Sequence, residues 1–357
     1  MDQKTMKAMV YHGPGQYSLD DVPVPQIIEP TDVIGKVTLA AICTSDIHIV
    51  HGDVAPVTYP KTMGHEFCVE IVEVGSEVKN WQVGDRCVSR AGANCGECLM
   101  CKIGIRGFCA KGGIYGSIGP LDGCHAEYIR IPFADTPSVL YKIPDGLSEE
   151  DVILTPDMLA TAWFGLENAE VKPGQTVAVI GVGPVGMSVC LLAKKVFGAR
   201  KVIAVDVLQY RLNLLLKEGL ADVVINSSSE EVIPIIMKES GGLGVDATIE
   251  TPGYESTMAM AVSSTRPSGI VSTIAVFAEP LVKIPMVEMI IKNQKLKMGI
   301  HQSPGVENML QMIKEGKLDA RFMLTHKAPL NDIEKGYEIF GNHQDGCVKW
   351  LITPYEK

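Results

Sequence analysis

Between residues 176 and 285 short apolar runs alternate with segments that read as helices. Residues 176–180 form a continuous β-branched run, the pattern of a strand buried on both faces. It leads into Gly181-Val182-Gly183-Pro184-Val185-Gly186, after which residues 187–197 read as a helix and 201–205 as a second strand ending at Asp206. Strands at 223–225, 247–249 and 270–276, helices at 230–238 and 256–262, and a closing run at 282–285 continue the alternation. Such a series predicts an α/β domain built on a doubly wound parallel sheet. Residues 7–90 are patterned differently. Short strands at 7–11, 33–41 and 67–74, and a turn leading into a strand at 83–88, are punctuated by Gly and Pro, which predicts an irregular β-barrel or sandwich. A helix is expected at 159–166. Beyond 297, helices at 306–315 and 330–340 and a strand at 348–352 complete no further βαβ unit, so this tail is expected to rejoin the first domain. The boundaries read 1–156, 157–296 and 297–357.

Composition narrows the function. The 357 residues are 46% hydrophobic and 21% charged, with a net charge of −10. No basic stripe suits nucleic acid or an anionic membrane; the short basic run at 292–297 reads as a solvated turn. No apolar stretch has the length of a membrane span, and the first seven residues lack the apolar core of a secretory leader, so a cytoplasmic location is expected. In a reducing compartment ten cysteines point to metal binding or free thiols.

Four of those cysteines cluster as Cys95, Cys98, Cys101 and Cys109, within a lobe at about 92–112. Four thiolates with no open position make a closed, structural Zn²⁺ site. An iron–sulfur cluster is the rival, but its fourth cysteine would come after three residues and precede a proline. The glycine run follows a strand, opens a helix and precedes Asp206 by 20 residues from Gly186. That is the distance for an acid on a ribose 2′-hydroxyl, with the pyrophosphate at the helix N-terminus. Asp206 would repel a 2′-phosphate, so NAD is expected over NADP.

A second donor set is spread out. Cys43 stands beside Thr44-Ser45-Asp46 and His48, His65 follows 22 positions later next to Glu66, and Asp157 a further 92. Thiolate, imidazole and carboxylate all bind zinc, and three protein ligands leave a position for water or substrate. Ser45 and His48 would provide a path for a proton.

Together with the closing Asp345-Gly346-Cys347-Val348-Lys349, these motifs resemble the zinc-containing medium-chain alcohol dehydrogenase family over essentially the whole chain. The resemblance implies a GroES-like catalytic domain split around a Rossmann domain, and two zinc ions per subunit. Cys43, His65 and Asp157 would hold the catalytic ion, with Glu66 as an occasional ligand or close neighbour that takes part in catalysis. Ser45 would take the alcohol proton and pass it by the nicotinamide ribose to His48. Gly181, Gly183, Pro184, Val185, Gly186, Arg211 and Ile274 would line the cofactor, Asp206 would fix the adenosine ribose, and Lys349 would face the pyrophosphate. Dimers or tetramers are usual, and a homotetramer is expected. Asp157 stands where many members have Cys, and Thr155-Pro156-Asp157-Met158 is similar to both secondary-alcohol and formaldehyde-oxidising groups. Short secondary alcohols and ketones are the first expected substrates, then primary alcohols or aldehydes, then polyols. The non-enzymatic alternative, a dinucleotide sensor or structural protein of this fold, would normally lack the zinc ligands, as would a zinc-free quinone reductase. His125, usually apolar in the family, reads as a hydrogen-bonded barrel histidine rather than a ligand. The remaining cysteines read as packing.

Overall fold

The computed structural model describes residues 4–53 and 57–355; residues 1–3, part of the stretch read for a leader, lie outside them. Two compact units form, one from Met1–Asp157 with Val306–Lys357 and the other Met158–Gly305.

The second unit is a parallel sheet of six strands among the described residues. Its order is Val223–Asn226, Lys201–Asp206, Thr176–Ile180, Val245–Glu250, Thr265–Thr273, Lys295–Met298. Thr176–Ile180 is buried along its whole length because helices cover both faces. Ile203, Val205, Ile225 and Ile236 pack in one cluster, and Ile180, Met258, Val262 and Val271 in another. The strand order reverses beside Thr176–Ile180, so the glycine run leaves its carboxyl end at the switch point where such sheets bind ligands.

Two readings of this unit need correction. The basic run is a turn only at Lys292 and Asn293: Lys295–Met298 pairs with residues 270–273 as the edge strand. Its lysines alternate with Leu296 and Met298, and charge on an edge deters pairing with stray chains. Residues 282–285 form no strand; they lead into the helix Met286–Ile291, with Pro285 at its N-cap. The helix Gln209–Lys217 went unread, its apolar stripe being blurred by the buried Arg211 and the exposed Leu216.

The first unit is the GroES-like part. Its hub is Val33–Ala41, which pairs along one edge with Glu66–Val74. The other edge is shared: residues 33–36 pair with Tyr128–Ile131, and Ala40 and Ala41 with Lys349–Thr353. Splitting one edge between two partners makes the barrel irregular. The tail therefore returns to this sheet, but it does contain a βαβ unit. Leu324–Pro329 runs parallel to Lys349–Thr353 on either side of the helix Ile333–Gly341. Leu324–Pro329 escaped notice because it is short, half-exposed and carries Thr325, His326 and Lys327 in succession.

His125 ties this unit together. Its Nε2 lies 3.1 Å from the Ala41 carbonyl and its Nδ1 2.9 Å from the Tyr337 hydroxyl, with no exposed surface. A carbonyl only accepts, so Nε2 carries the proton and the tyrosine hydroxyl donates to Nδ1. Burial holds the imidazole below its ordinary pKa, in keeping with a neutral ring. His125→Leu is expected to strand the Tyr337 hydroxyl and the Ala41 carbonyl and to cost roughly 1–3 kcal/mol in urea unfolding. Zinc content should not change; loss of zinc would make His125 a ligand.

Candidate active site and metal centres

Cys43 caps the helix Thr44–His51, and His65 and Glu66 lie at the start of the strand Glu66–Val74. Asp157 sits on a π-helical turn, Thr155–Leu159, an irregularity often found at functional positions. One donor atom from each of Cys43, His65, Glu66 and Asp157 lies within 4.8 Å of the others; Cys43, His65 and Glu66 are buried and the Asp157 side chain is 13% exposed. His65 Nε2 stands 3.6 Å from Asp157 Oδ2 and 3.4 Å from Ser45 Oγ.

Two charged residues frame these donors. Asp46 accepts the Cys43 backbone N–H through Oδ2 at 2.9 Å, and its Oδ1 lies 3.2 Å from His65 Nδ1. That pair turns the imidazole so that Nε2 faces the other donors. On the far side Lys349 donates to Glu66 Oε1 at 2.6 Å, both side chains having no exposed surface. A fully buried ammonium therefore neutralises Glu66. Glu66 Oε2 is buried without a protein partner.

Burial, with Glu66 alongside, pushes the Cys43 thiol up. Burial pulls His65 down, yet Asp46 and Asp157 beside it hold it well above the ordinary range. Burial likewise opposes the Lys349 charge, but Glu66 beside it holds its pKa above the ordinary value. Ionised, one thiolate and the carboxylates Asp46, Glu66 and Asp157 outweigh the Lys349 and His65 charges, and Glu66 Oε2 remains orphaned. A dication bound among these donors answers both conditions, and thiolate, imidazole and carboxylate suit Zn²⁺.

The second cluster fits a closed zinc site. One sulfur from each of Cys95, Cys98, Cys101 and Cys109 lies within 4.8 Å of the rest. Cys98 Sγ and Cys101 Sγ are 3.5 Å apart; four sulfurs at about 2.3 Å from one ion would stand about 3.8 Å apart in a tetrahedron. Backbone N–H groups of Ala110 and Cys101 bring the Cys98 thiol down to about 6, which favours a thiolate.

In the other unit the glycine run opens the helix Pro184–Lys195, with Gly183 at the N-cap and Pro184 in the first turn. A Cβ on Gly186 would lie 2.0 Å from the Gly181 carbonyl oxygen, so only glycine lets helix and turn approach this closely. Asp206 accepts from the Val182 N–H at 2.7 Å and the Leu208 N–H at 2.9 Å, which pins its carboxylate beside the glycine turn. The Arg211 guanidinium is 3.8 Å from Asp206. Val185 is in the first turn of the helix, and Ile274 follows the strand Thr265–Thr273 at the same carboxyl edge of the sheet.

Residues 29–145 match the family model "Alcohol dehydrogenase GroES-like domain" and residues 184–315 "Zinc-binding dehydrogenase". The chain is 34% identical over 374 residues to an alcohol dehydrogenase of Cupriavidus necator, covering 98% of this chain and 99% of that one. The chain belongs to the zinc-dependent medium-chain alcohol dehydrogenase family. An L-threonine 3-dehydrogenase of Bacillus licheniformis is 31% identical, with 98% and 99% of the two chains covered. A solved zinc-dependent alcohol dehydrogenase from Streptococcus pneumonia is 33% identical, with a TM-score of 0.91 over 99% of each chain.

Sequence reasoning named the donors of this dehydrogenase but gave Asp46 no role. The signal was there: an acid three residues after Cys43, at a helix start, is placed to bond back to the backbone of the cap. Asp46→Asn should lower zinc affinity at the catalytic cluster by about 10–100-fold, measured by chelator competition. An amide has one accepting oxygen and cannot serve both the Cys43 N–H and a His65 Nδ1–H. Zinc at the four cysteines should be unaffected. Unchanged affinity would free His65 orientation from Asp46.

Proposed function

We propose that this dehydrogenase oxidises short secondary alcohols to ketones, reversibly, with NAD as cofactor. The observation that carries the chemistry is the buried convergence of Cys43, His65 and Asp157, with Ser45 Oγ at 3.4 Å from the imidazole. Cys43, His65 and Asp157, with Glu66 beside them, would hold zinc, which when bound stabilises negative charge on the alcohol oxygen. NAD would supply the hydride acceptor that no side chain can. Ser45 takes the proton leaving the hydroxyl. His48 lies three residues further on, hence on the same face of the helix Thr44–His51, and is partly exposed, so it hands the proton to water. Asp206 supports NAD over NADP, since a buried carboxylate at the glycine turn would repel a 2′-phosphate. The secondary-alcohol reading draws on the Thr155-Pro156-Asp157-Met158 pattern, and on the name of the threonine relative, whose 3-hydroxyl is secondary.

A homotetramer is part of the proposal. Met286, Val287, Ile290 and Ile291 are exposed on a helix beside the edge strand of the parallel sheet. Leu99, Ile103, Phe108 and Ile118 are exposed in and near the cysteine lobe of the other unit. Apolar patches of this kind mark association surfaces, and two independent self-complementary surfaces generate a four-subunit assembly.

With the zinc-loaded enzyme and NAD⁺, propan-2-ol should give a higher initial rate of NADH formation than ethanol. An excess for ethanol would replace the secondary-alcohol reading with a primary one, and silence with both would point to polyols or aldehyde adducts. Replacing Ile290 and Ile291 together by Glu should reduce the mass measured by light scattering to half or less, with two zinc ions per chain retained. An unchanged mass would remove that helix from the interface.

A further inference from the structure

We infer that Asp53 is a positioning residue for the proton relay: it holds the His48 imidazole as the Nδ1–H tautomer, so that Nε2 is the nitrogen left to accept a proton. This rests on the reading of His48 as a relay given above. His48 Nδ1 lies 3.2 Å from Asp53 Oδ2. A carboxylate only accepts, so the hydrogen bond forms when Nδ1 carries the proton, and the lone pair is then on Nε2, across the ring. Without this partner the two nitrogens are chemically similar and the ring can turn.

The backbone puts Asp53 there for a specific reason. Gly52 ends the helix Thr44–His51 in the left-handed region, φ 80° and ψ 19°, with its N–H donating to the Ile49 carbonyl at 3.0 Å. The chain thereby doubles back, and the Asp53 N–H donates to the His48 carbonyl at 2.9 Å. Asp53 thus holds His48 twice, main chain to main chain and carboxylate to imidazole. A side chain at position 52 would be strained by its φ and would meet Pro14 Cβ at 3.0 Å, so glycine is required for this return. Among the described residues His51 also approaches this carboxylate: its Nδ1 is 3.8 Å from Oδ2 and its side chain is more than half exposed. That distance is too long for a hydrogen bond, and Asp53 therefore serves His48.

The arrangement separates two jobs along one helical turn. Ser45 lies near the start of the helix, against His65, and His48 one turn further on, against Asp53. A fixed Nε2 lone pair gives the relay a defined exit.

The test uses the full-length, zinc-loaded enzyme, with NAD⁺ and whichever of propan-2-ol or ethanol it oxidises, in four variants: Asp53→Ala, Asp53→Glu, His48→Gln, and Asp53→Ala with His48→Gln. Asp53→Ala should lower kcat by about tenfold or more with KM little changed. Asp53→Glu should restore most of the loss. In the His48→Gln background Asp53→Ala should cost nothing further, because its partner is gone. Long-range ¹H–¹⁵N spectra of histidine-labelled protein should show His48 as the Nδ1–H form in the native enzyme and as a mixture in Asp53→Ala, a readout independent of turnover. A slow His48→Gln enzyme beside a fully active Asp53→Ala, or equal losses from Asp53→Ala in both backgrounds, would overturn the role of Asp53 alone. Full activity of His48→Gln would overturn the relay reading, and the role of Asp53 with it.

Discussion

The gathering of a thiol, an imidazole and two carboxylates in one buried place is the constraint on which the catalytic unit depends. Such donors repel one another when ionised and are costly to desolvate. Each is therefore fixed by something rigid: Cys43 by the start of a helix, His65 and Glu66 by the start of the strand paired with the hub, Asp157 by a π-helical turn. Asp46 and Lys349 then divide the electrostatic work. The first draws on one side of the imidazole, and the second neutralises one carboxylate oxygen and leaves the other open. Polar networks of this kind are stable when complete and expensive when a member is missing. The cluster thus behaves as a unit rather than as separate ligands.

Asp157 gives this unit its chemical character. A carboxylate is a harder donor than a thiolate, and would leave a dication bound there poorer in electrons. Cys43 supplies the only thiolate of the set.

Much of this was legible in the chain. The parallel sheet could be read strand by strand because burial on both faces produces unbroken apolar runs such as Thr176–Ile180. The cysteine lobe could be read because its ligands are local. What escaped was long in range or masked by exposure. Lys349 and Glu66 are 283 positions apart, and no spacing rule joins them. Leu324–Pro329 and Lys295–Met298 lie at sheet edges, where lysine and threonine between apolar positions look like loop. Asp53 follows a helix-ending glycine, a place that sequence reads as the start of a loop, although the backbone there turns back on His48.

The pairing of Lys349 with Glu66 also sets an order of events during synthesis. The strand Lys349–Thr353 adds to the hub strand only after Met158–Gly305, a continuous stretch, has emerged and can have folded by itself. Until residue 349 arrives, the nascent chain carries Glu66 without its counter-charge and the hub strand with an edge unfilled at Ala40 and Ala41. A ribosome-bound fragment therefore has Cys43, His65, Glu66 and Asp157 but not the ammonium that neutralises one of them. The counter-charge and the last partner of the hub strand arrive together, with the docking of one strand.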